Sequence, residues 1–161
     1  APCQIDHGGY SPVKEQGTTM NFVLDCSVTM TWLFEHEATK DTDALLGALS
    51  GPEKAIVAQH WVLEVGNVLL GAERSKKKTP ADTTLFLNLL SKLAIESDVH
   101  TEQHATTTTL ALGRRHQLSS YDAAYLELAM RLGLPLASLD KNLRKAAQAE
   151  DISVLPTKIP Q

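Results

Sequence analysis

Asp25, Glu64, Asp122 and Asp140 are the residues of this chain best placed to do chemistry, because each carboxylate sits in an otherwise apolar setting. Asp25 ends the run Asn21-Phe-Val-Leu-Asp25, and Glu64 interrupts Trp61-Val-Leu-Glu64-Val-Gly-Asn67-Val-Leu-Leu-Gly-Ala72. Asp122 opens Ser119-Ser-Tyr-Asp122-Ala-Ala-Tyr-Leu-Glu-Leu-Ala129, and Asp140 follows Leu134-Pro-Leu-Ala-Ser-Leu139. They are far apart in sequence, so only a fold could assemble them, and their mutual repulsion would then require a cation. Hard oxygen donors without a Cys or His framework select Mg²⁺ or Mn²⁺, ions that most often serve phosphate chemistry.

Each acid also has an ordinary structural reading. Asp25 and Asp140 both precede expected helices, and Asp is a favoured N-cap. Ser119-x-x-Asp122 has the form of a capping box. Glu64 is harder to explain, being the only charge between Trp61 and Gly71. Unpaired burial of a carboxylate costs several kcal/mol or forces protonation. Glu64 therefore either finds a partner or shares a narrow solvent-facing stripe with Asn67.

The elements that must position these acids alternate between strand and helix. Short apolar runs predict strands over Phe22–Asp25, Ala55–Ala58, Leu93–Glu96, Leu136–Leu139 and Ile152–Leu155. Helical spacing follows the first run at Val28, Trp32 and Leu33, with a second helix around Asp43–Ser50 that Gly51-Pro52 breaks. Trp61–Lys76 has a helical period with Val62, Val65, Leu69 and Ala72 on one face. Further helices are predicted over Pro80–Lys92, Glu102–His116, Ser119–Leu132 and Lys141–Ala149. The strand Leu136–Leu139 follows a helix with Tyr121, Ala124, Tyr125, Leu128, Ala129 and Leu132 on one side and Gly133 as its left-handed cap. Such alternation implies an α/β fold with a largely parallel sheet covered on both faces. Ligands of these sheets bind beyond the carboxyl ends of the strands, where Asp25 and Asp140 lie.

At 161 residues, with 43% hydrophobic and 21% charged content, the chain suits one globular domain with a real core. The expected division is a polar extension over 1–20, with Met20 a candidate natural start, one domain over 21–157 and a tail over 158–161. No apolar run reaches the roughly 18 residues of a membrane span. Cys3 and Cys26 do not frame a disulfide scaffold, which fits a reducing cytoplasm. A net charge of -4 gives no global signature for nucleic acid. RNA contact must be argued from local patches: Arg74, Lys76, Lys77 and Lys78, and the pair Arg114-Arg115. Their ordinary role is to stabilise helix C-termini. His100-x3-His104 lacks the zinc-protease order and reads as a surface pair. His116 reads as packing or capping, and Trp32 and Trp61 as core.

The acidic segments together resemble those of the PIN-domain family, specifically VapC-type toxins of bacterial toxin–antitoxin pairs. The matching stretches are Val-Leu-Asp25-Cys-Ser27, Trp61-Val-Leu-Glu64-Val-Gly-Asn67, Leu118-Ser-Ser-Tyr-Asp122-Ala-Ala-Tyr125 and Gly133-Leu-Pro-Leu-Ala-Ser-Leu-Asp140-Lys-Asn-Leu143. The resemblance implies a three-layer α/β/α sandwich and a metal-dependent endoribonuclease acting on RNA, tRNA among the candidate substrates. It further implies neutralisation by a cognate VapB-like antitoxin, homodimerisation, and contact with operator DNA only through that antitoxin. It assigns Asp25, Glu64, Asp122 and Asp140 to the Mg²⁺ or Mn²⁺ pocket, with Ser27, Asn67 and Ser138 assisting. Cys26 departs from the pattern, since Ala or Thr is more usual there, and is expected to pack as a small hydrophobe. Two alternatives stay open: a PIN-fold regulatory protein acting within an antitoxin complex on operator DNA, and another Mg²⁺-dependent phosphohydrolase. Against the latter, Asp25 lacks the acidic neighbour of a phospho-accepting receiver and the Asp-x-Asp of a phosphatase.

Overall fold

Five short apolar runs become five parallel strands. The structure, a computed structural model, describes residues 20–159; most of the N-terminal extension, Cys3 with it, and the end of the tail lie outside them. The strands are β1 (Phe22–Leu24), β2 (Ala55–Val57), β3 (Ile95–Ser97), β4 (Leu136–Ala137) and β5 (Val154–Leu155). They form one sheet in the order β3-β2-β1-β4-β5. Val23 pairs with Ile56 on one side and Leu136 on the other. Successive side chains of a strand point to opposite faces. Phe22, Val23 and Leu24 are all buried, so the centre of the sheet is covered on both faces.

The strand order runs outward from β1 in both directions, which puts a topological switch point between β1 and β4. The connections leading outward diverge there and leave a crevice beyond the carboxyl ends of the two strands. Asp25 follows β1 and Asp140 follows β4, so the crevice opens between them.

Among the described residues eight helices flank the sheet: α1 (Cys26–Thr31), α2 (Lys40–Ala48), α3 (Trp61–Arg74), α4 (Pro80–Ser91), α5 (Thr101–His104), α6 (Thr108–His116), α7 (Ser120–Leu132) and α8 (Lys141–Ala149). A one-turn 3₁₀ segment spans Glu35–Glu37. Every residue of α7 from Ala123 to Ala129 is buried, the mark of a helix enclosed on all sides. Gly133 ends it at φ 63°, in the left-handed conformation expected of a cap. Among the described residues no helix is long and apolar enough to cross a membrane.

Several boundaries and faces differ from the sequence expectation. The helix expected over Glu102–His116 is two helices, interrupted at Thr107, whose φ of -119° and ψ of -98° are not helical. Thr107 donates its hydroxyl to the His104 carbonyl, the local side-chain bonding by which Thr competes with helix propagation. The buried face of α3 is Trp61, Val65, Leu69 and Ala72. Val62, placed on that face by periodicity, is 62% exposed. On α7, Tyr121 and Leu132 are exposed rather than buried with Ala124 and Tyr125. The second helix begins earlier than Asp43, at Lys40, because Thr39 and Thr42 cap each other reciprocally.

Candidate functional site

The site is organised by Asp25, which is both N-cap and pocket residue. Its Oδ1 accepts from the Ser27 and Val28 amides at 2.9 and 3.3 Å and from the Ser27 hydroxyl at 2.5 Å. Its Oδ2 accepts from the Ser138 hydroxyl at 2.5 Å. The two serines are themselves tied to the loop after β4. Ser27 Oγ accepts from the Leu139 amide at 2.8 Å, and Ser138 Oγ from the Asp140 amide at 3.1 Å. Arg144, buried on α8, donates to the carbonyls of Ser138 and Leu155 at 2.9 and 3.3 Å and closes this lattice from beneath.

Burial pushes the Asp25 carboxyl up to about 6, although the Ser138 and Ser27 hydroxyls and the Val28 and Ser27 amides pull it back. The cause is desolvation and not repulsion from the other acids. Cys26 beside it is pushed up to about 12, by burial first and then by the charges of Glu64 and Asp25. It stays a thiol and packs against the core, as its small size implies.

Glu64 is partnered, and its side chain also stays 29% exposed. Its Oε2 accepts from the Tyr125 hydroxyl at 2.6 Å. Burial and that bond raise the phenol beyond its ordinary range. His60, one turn before Glu64, places Nε2 at 3.7 Å from Glu64 Oε1, and that nitrogen is buried without a hydrogen-bond partner. Burial holds the imidazole below its ordinary value, with the Glu64 charge opposing. Its ring lies 5.4 and 4.8 Å from those of Tyr121 and Tyr125. Asp122 accepts from the Ser119 hydroxyl at 2.9 Å while its amide donates to Ser119 Oγ at 3.1 Å. Asp140 caps α8 through the Leu143 amide at 2.7 Å. The caps read from the sequence are therefore real, and they coexist with the pocket.

Asp25, Ser27, Glu64, Asn67, Asp122 and Asp140 line one open pocket of about 370 Å³. Ser138 is fully buried and meets the pocket through its bonds to Asp25 and Asp140. Among the described residues no Lys or Arg forms an ion pair with any of the four acids. The all-oxygen donor set suits a hard divalent cation. Among the described residues, though, no three His, Cys, Asp or Glu side chains converge closely enough to enclose an ion by themselves. Ligation through water, which Mg²⁺ retains readily, fits carboxylates spaced around a pocket.

The remaining candidates are dispersed. Arg74, Lys76, Lys77 and Arg114 are exposed and Lys78 half-buried. Arg115 is paired with Glu150 at 2.8 Å, and His116 with the same oxygen at 2.6 Å. Both tryptophans are tied inward: Trp61 Nε1 donates to Thr29 Oγ1 and Trp32 Nε1 to the Thr42 carbonyl. His100 is exposed and His104 faces Glu127, so they do not form a zinc site. Sequence reasoning missed His60 and Tyr125. The signals available were the i,i+4 spacing of His60 to Glu64 and a hydroxyl-bearing aromatic on a buried helix face.

The PIN domain family model matches residues 22–149. The fold is also that of the crystal structure of PAE2754 from Pyrobaculum aerophilum, with TM-score 0.62 and 19% identity over 86% of this chain and 93% of that one. A second solved structure, VapBC2 from Rickettsia felis bound to a DNA fragment from their promoter, matches with TM-score 0.59 and 14% identity over 84% of this chain and 97% of that one. No curated protein matches the sequence. With the family match spanning most of its length, the chain belongs to the PIN-domain family.

Proposed function

We propose that this protein is a VapC-type endoribonuclease toxin, hydrolysing RNA phosphodiester bonds with Mg²⁺ or Mn²⁺ and silenced by a cognate VapB-like antitoxin. One observation carries the reading: four carboxylates from four separate elements line a single pocket, and among the described residues no Lys or Arg is paired to them. Its likeness in fold to a toxin–antitoxin complex bound to promoter DNA supports the partner and its link to operator DNA. The toxin would act as a homodimer.

Asp25, Glu64, Asp122 and Asp140 would hold the ion, with Asn67 offering an amide oxygen at the wall. When bound, such an ion supplies Lewis acidity at the phosphate and offsets charge at the leaving oxygen. The chain's own residues do the positioning. Ser27 and Ser138 fix both oxygens of Asp25, and the Tyr125 hydroxyl fixes Glu64. Restrained carboxylates need little reorganisation when charge develops on the phosphate. The thiol of Cys26 takes no nucleophilic part.

Incubating antitoxin-free protein with total RNA in Mg²⁺, Mn²⁺ or EDTA tests the proposal. Defined cuts in the metal lanes and none in EDTA are expected; equal cutting in EDTA would contradict it.

A further inference from the structure

Beside the carboxylate pocket lies a recess of about 580 Å³ lined by Phe34, Glu35, His36, Lys77 and Lys78. Neither end of it is isolated. Phe34, His36 and Lys77 also line an adjoining cavity of about 280 Å³, whose wall includes Val68. Val68 in turn lines the pocket that holds Asp25 and Glu64. The three spaces therefore share walls in series, from the carboxylates to the lysines.

The chemistry of the recess is that of a base and a phosphate together. The rings of Phe34 and His36 have centroids 6.0 Å apart and planes tilted by 59°. Lys78 Nζ stands 5.9 Å from the centre of the Phe34 ring, within cation–π range. Lys76 holds its neighbours there by turning the chain at the end of α3. It adopts φ 57°, and its amide and that of Lys77 donate back to the Glu73 and Ala72 carbonyls at 3.0 and 2.9 Å. That is the Schellman closure, in which glycine is the usual residue at the left-handed position. Among the described residues Lys76, Lys77 and Lys78 form no ion pair.

We infer that this recess is a nucleotide subsite for single-stranded RNA, holding a nucleotide beside the scissile one with its base against Phe34 and His36 and its phosphate at Lys77 and Lys78. The inference rests on the nuclease reading above and says which way the substrate leaves the pocket. A duplex keeps its base faces inside its own stack, whereas an aromatic wall next to ammonium groups suits an unstacked base. Glu35, on the same wall, repels phosphate and accepts from exocyclic amines, which leaves the phosphate to the lysine side.

The test is binding in EDTA of a fluorescein-labelled ten-nucleotide oligouridine, and of the same oligomer carrying one 2-aminopurine. The full chain is compared with Phe34→Leu, with Lys77→Gln/Lys78→Gln and with Lys92→Gln, a charge control at the end of α4 outside the recess. Binding by the unaltered protein should quench 2-aminopurine. Phe34→Leu should remove most of that quench and weaken binding about tenfold. The double lysine variant should lower the log–log salt slope by about 1, and Lys92→Gln should not. Unchanged quenching and salt slope in both variants, while the protein still cuts RNA, would overturn the subsite and leave the nuclease reading standing. Failure of the unaltered protein both to bind and to cut RNA would overturn both.

Discussion

Ser138 Oγ lies 2.5 Å from Asp25 Oδ2 and joins the end of β4 to the end of β1 across the switch point of the sheet. The same oxygen accepts from the Asp140 amide at 3.1 Å, so one hydroxyl sets the relation between the two strand-end acids. Ser138→Ala would leave a buried carboxylate oxygen unsatisfied. Its expected effect is a loss of about 1–3 kcal/mol in stability by urea unfolding, with cleavage slowed about tenfold. A variant as stable and as fast as the parent would show that Ser138 does not position Asp25.

Tyr125 is buried and spends its hydroxyl on Glu64. Tyr125→Phe keeps the ring and deletes only that bond. Cleavage should fall about tenfold, the equivalent of about 1.4 kcal/mol, and Tyr125→Phe should add nothing further in a Glu64→Gln background. Full additivity in this double-mutant cycle would mean that the hydroxyl does not act through Glu64.

Asp98 tests the frame away from the pocket. It accepts from both terminal nitrogens of Arg131, at 3.2 and 2.8 Å, and from Thr101 at 2.8 Å. Arg131 also binds Glu127, fastening the loop after β3 to α7. Burial alone would raise the Asp98 carboxyl, but the Arg131 and Thr101 bonds and the Arg131 charge outweigh it and hold it below its usual 3.8. A depressed carboxylate stabilises the fold fully above its unfolded value and loses that contribution as pH falls through its folded one. Asp98→Asn should therefore cost about 1.5–3 kcal/mol at pH 7. The gap from the parent should close as pH drops below 3.8. A gap that stays constant from pH 7 to pH 3 would contradict this.

Metal binding should be visible without catalysis. A ligand at a hundredfold its Kd stabilises the folded state by about 2.7 kcal/mol, so Mg²⁺ or Mn²⁺ should raise the melting temperature of the parent. Asp25→Asn should lose most of that rise. An equal rise in both proteins would place the ion away from the four acids.

Much of this arrangement was legible in the sequence because it depends on local chemistry. Strand-end aspartates before capped helices were visible in Val-Leu-Asp25 and Ser-Leu-Asp140, and the left-handed Gly133 followed from the end of apolar periodicity. What stayed hidden depends on tertiary placement. Val62 and Val65 are three apart and both apolar, and only the sheet beneath decides which of them is buried. Likewise the four-threonine run around Thr107 is compatible with helix until the Thr107 hydroxyl bonds the backbone. The partner of Glu64 lies on another helix, at Tyr125, and no periodicity links the two. The pairing of Arg115, a candidate RNA contact, with Glu150 at the end of α8 stayed hidden for the same reason.

We propose that the four-carboxylate pocket cuts RNA with a divalent cation. Its most direct test is the cleavage rate of total RNA in Mg²⁺ or Mn²⁺ for the parent and for Asp25→Asn, purified identically and matched by circular dichroism. Metal-dependent cuts are expected in the parent and their loss, by about a thousandfold or more, in the folded variant. Undiminished cutting by folded Asp25→Asn would contradict it.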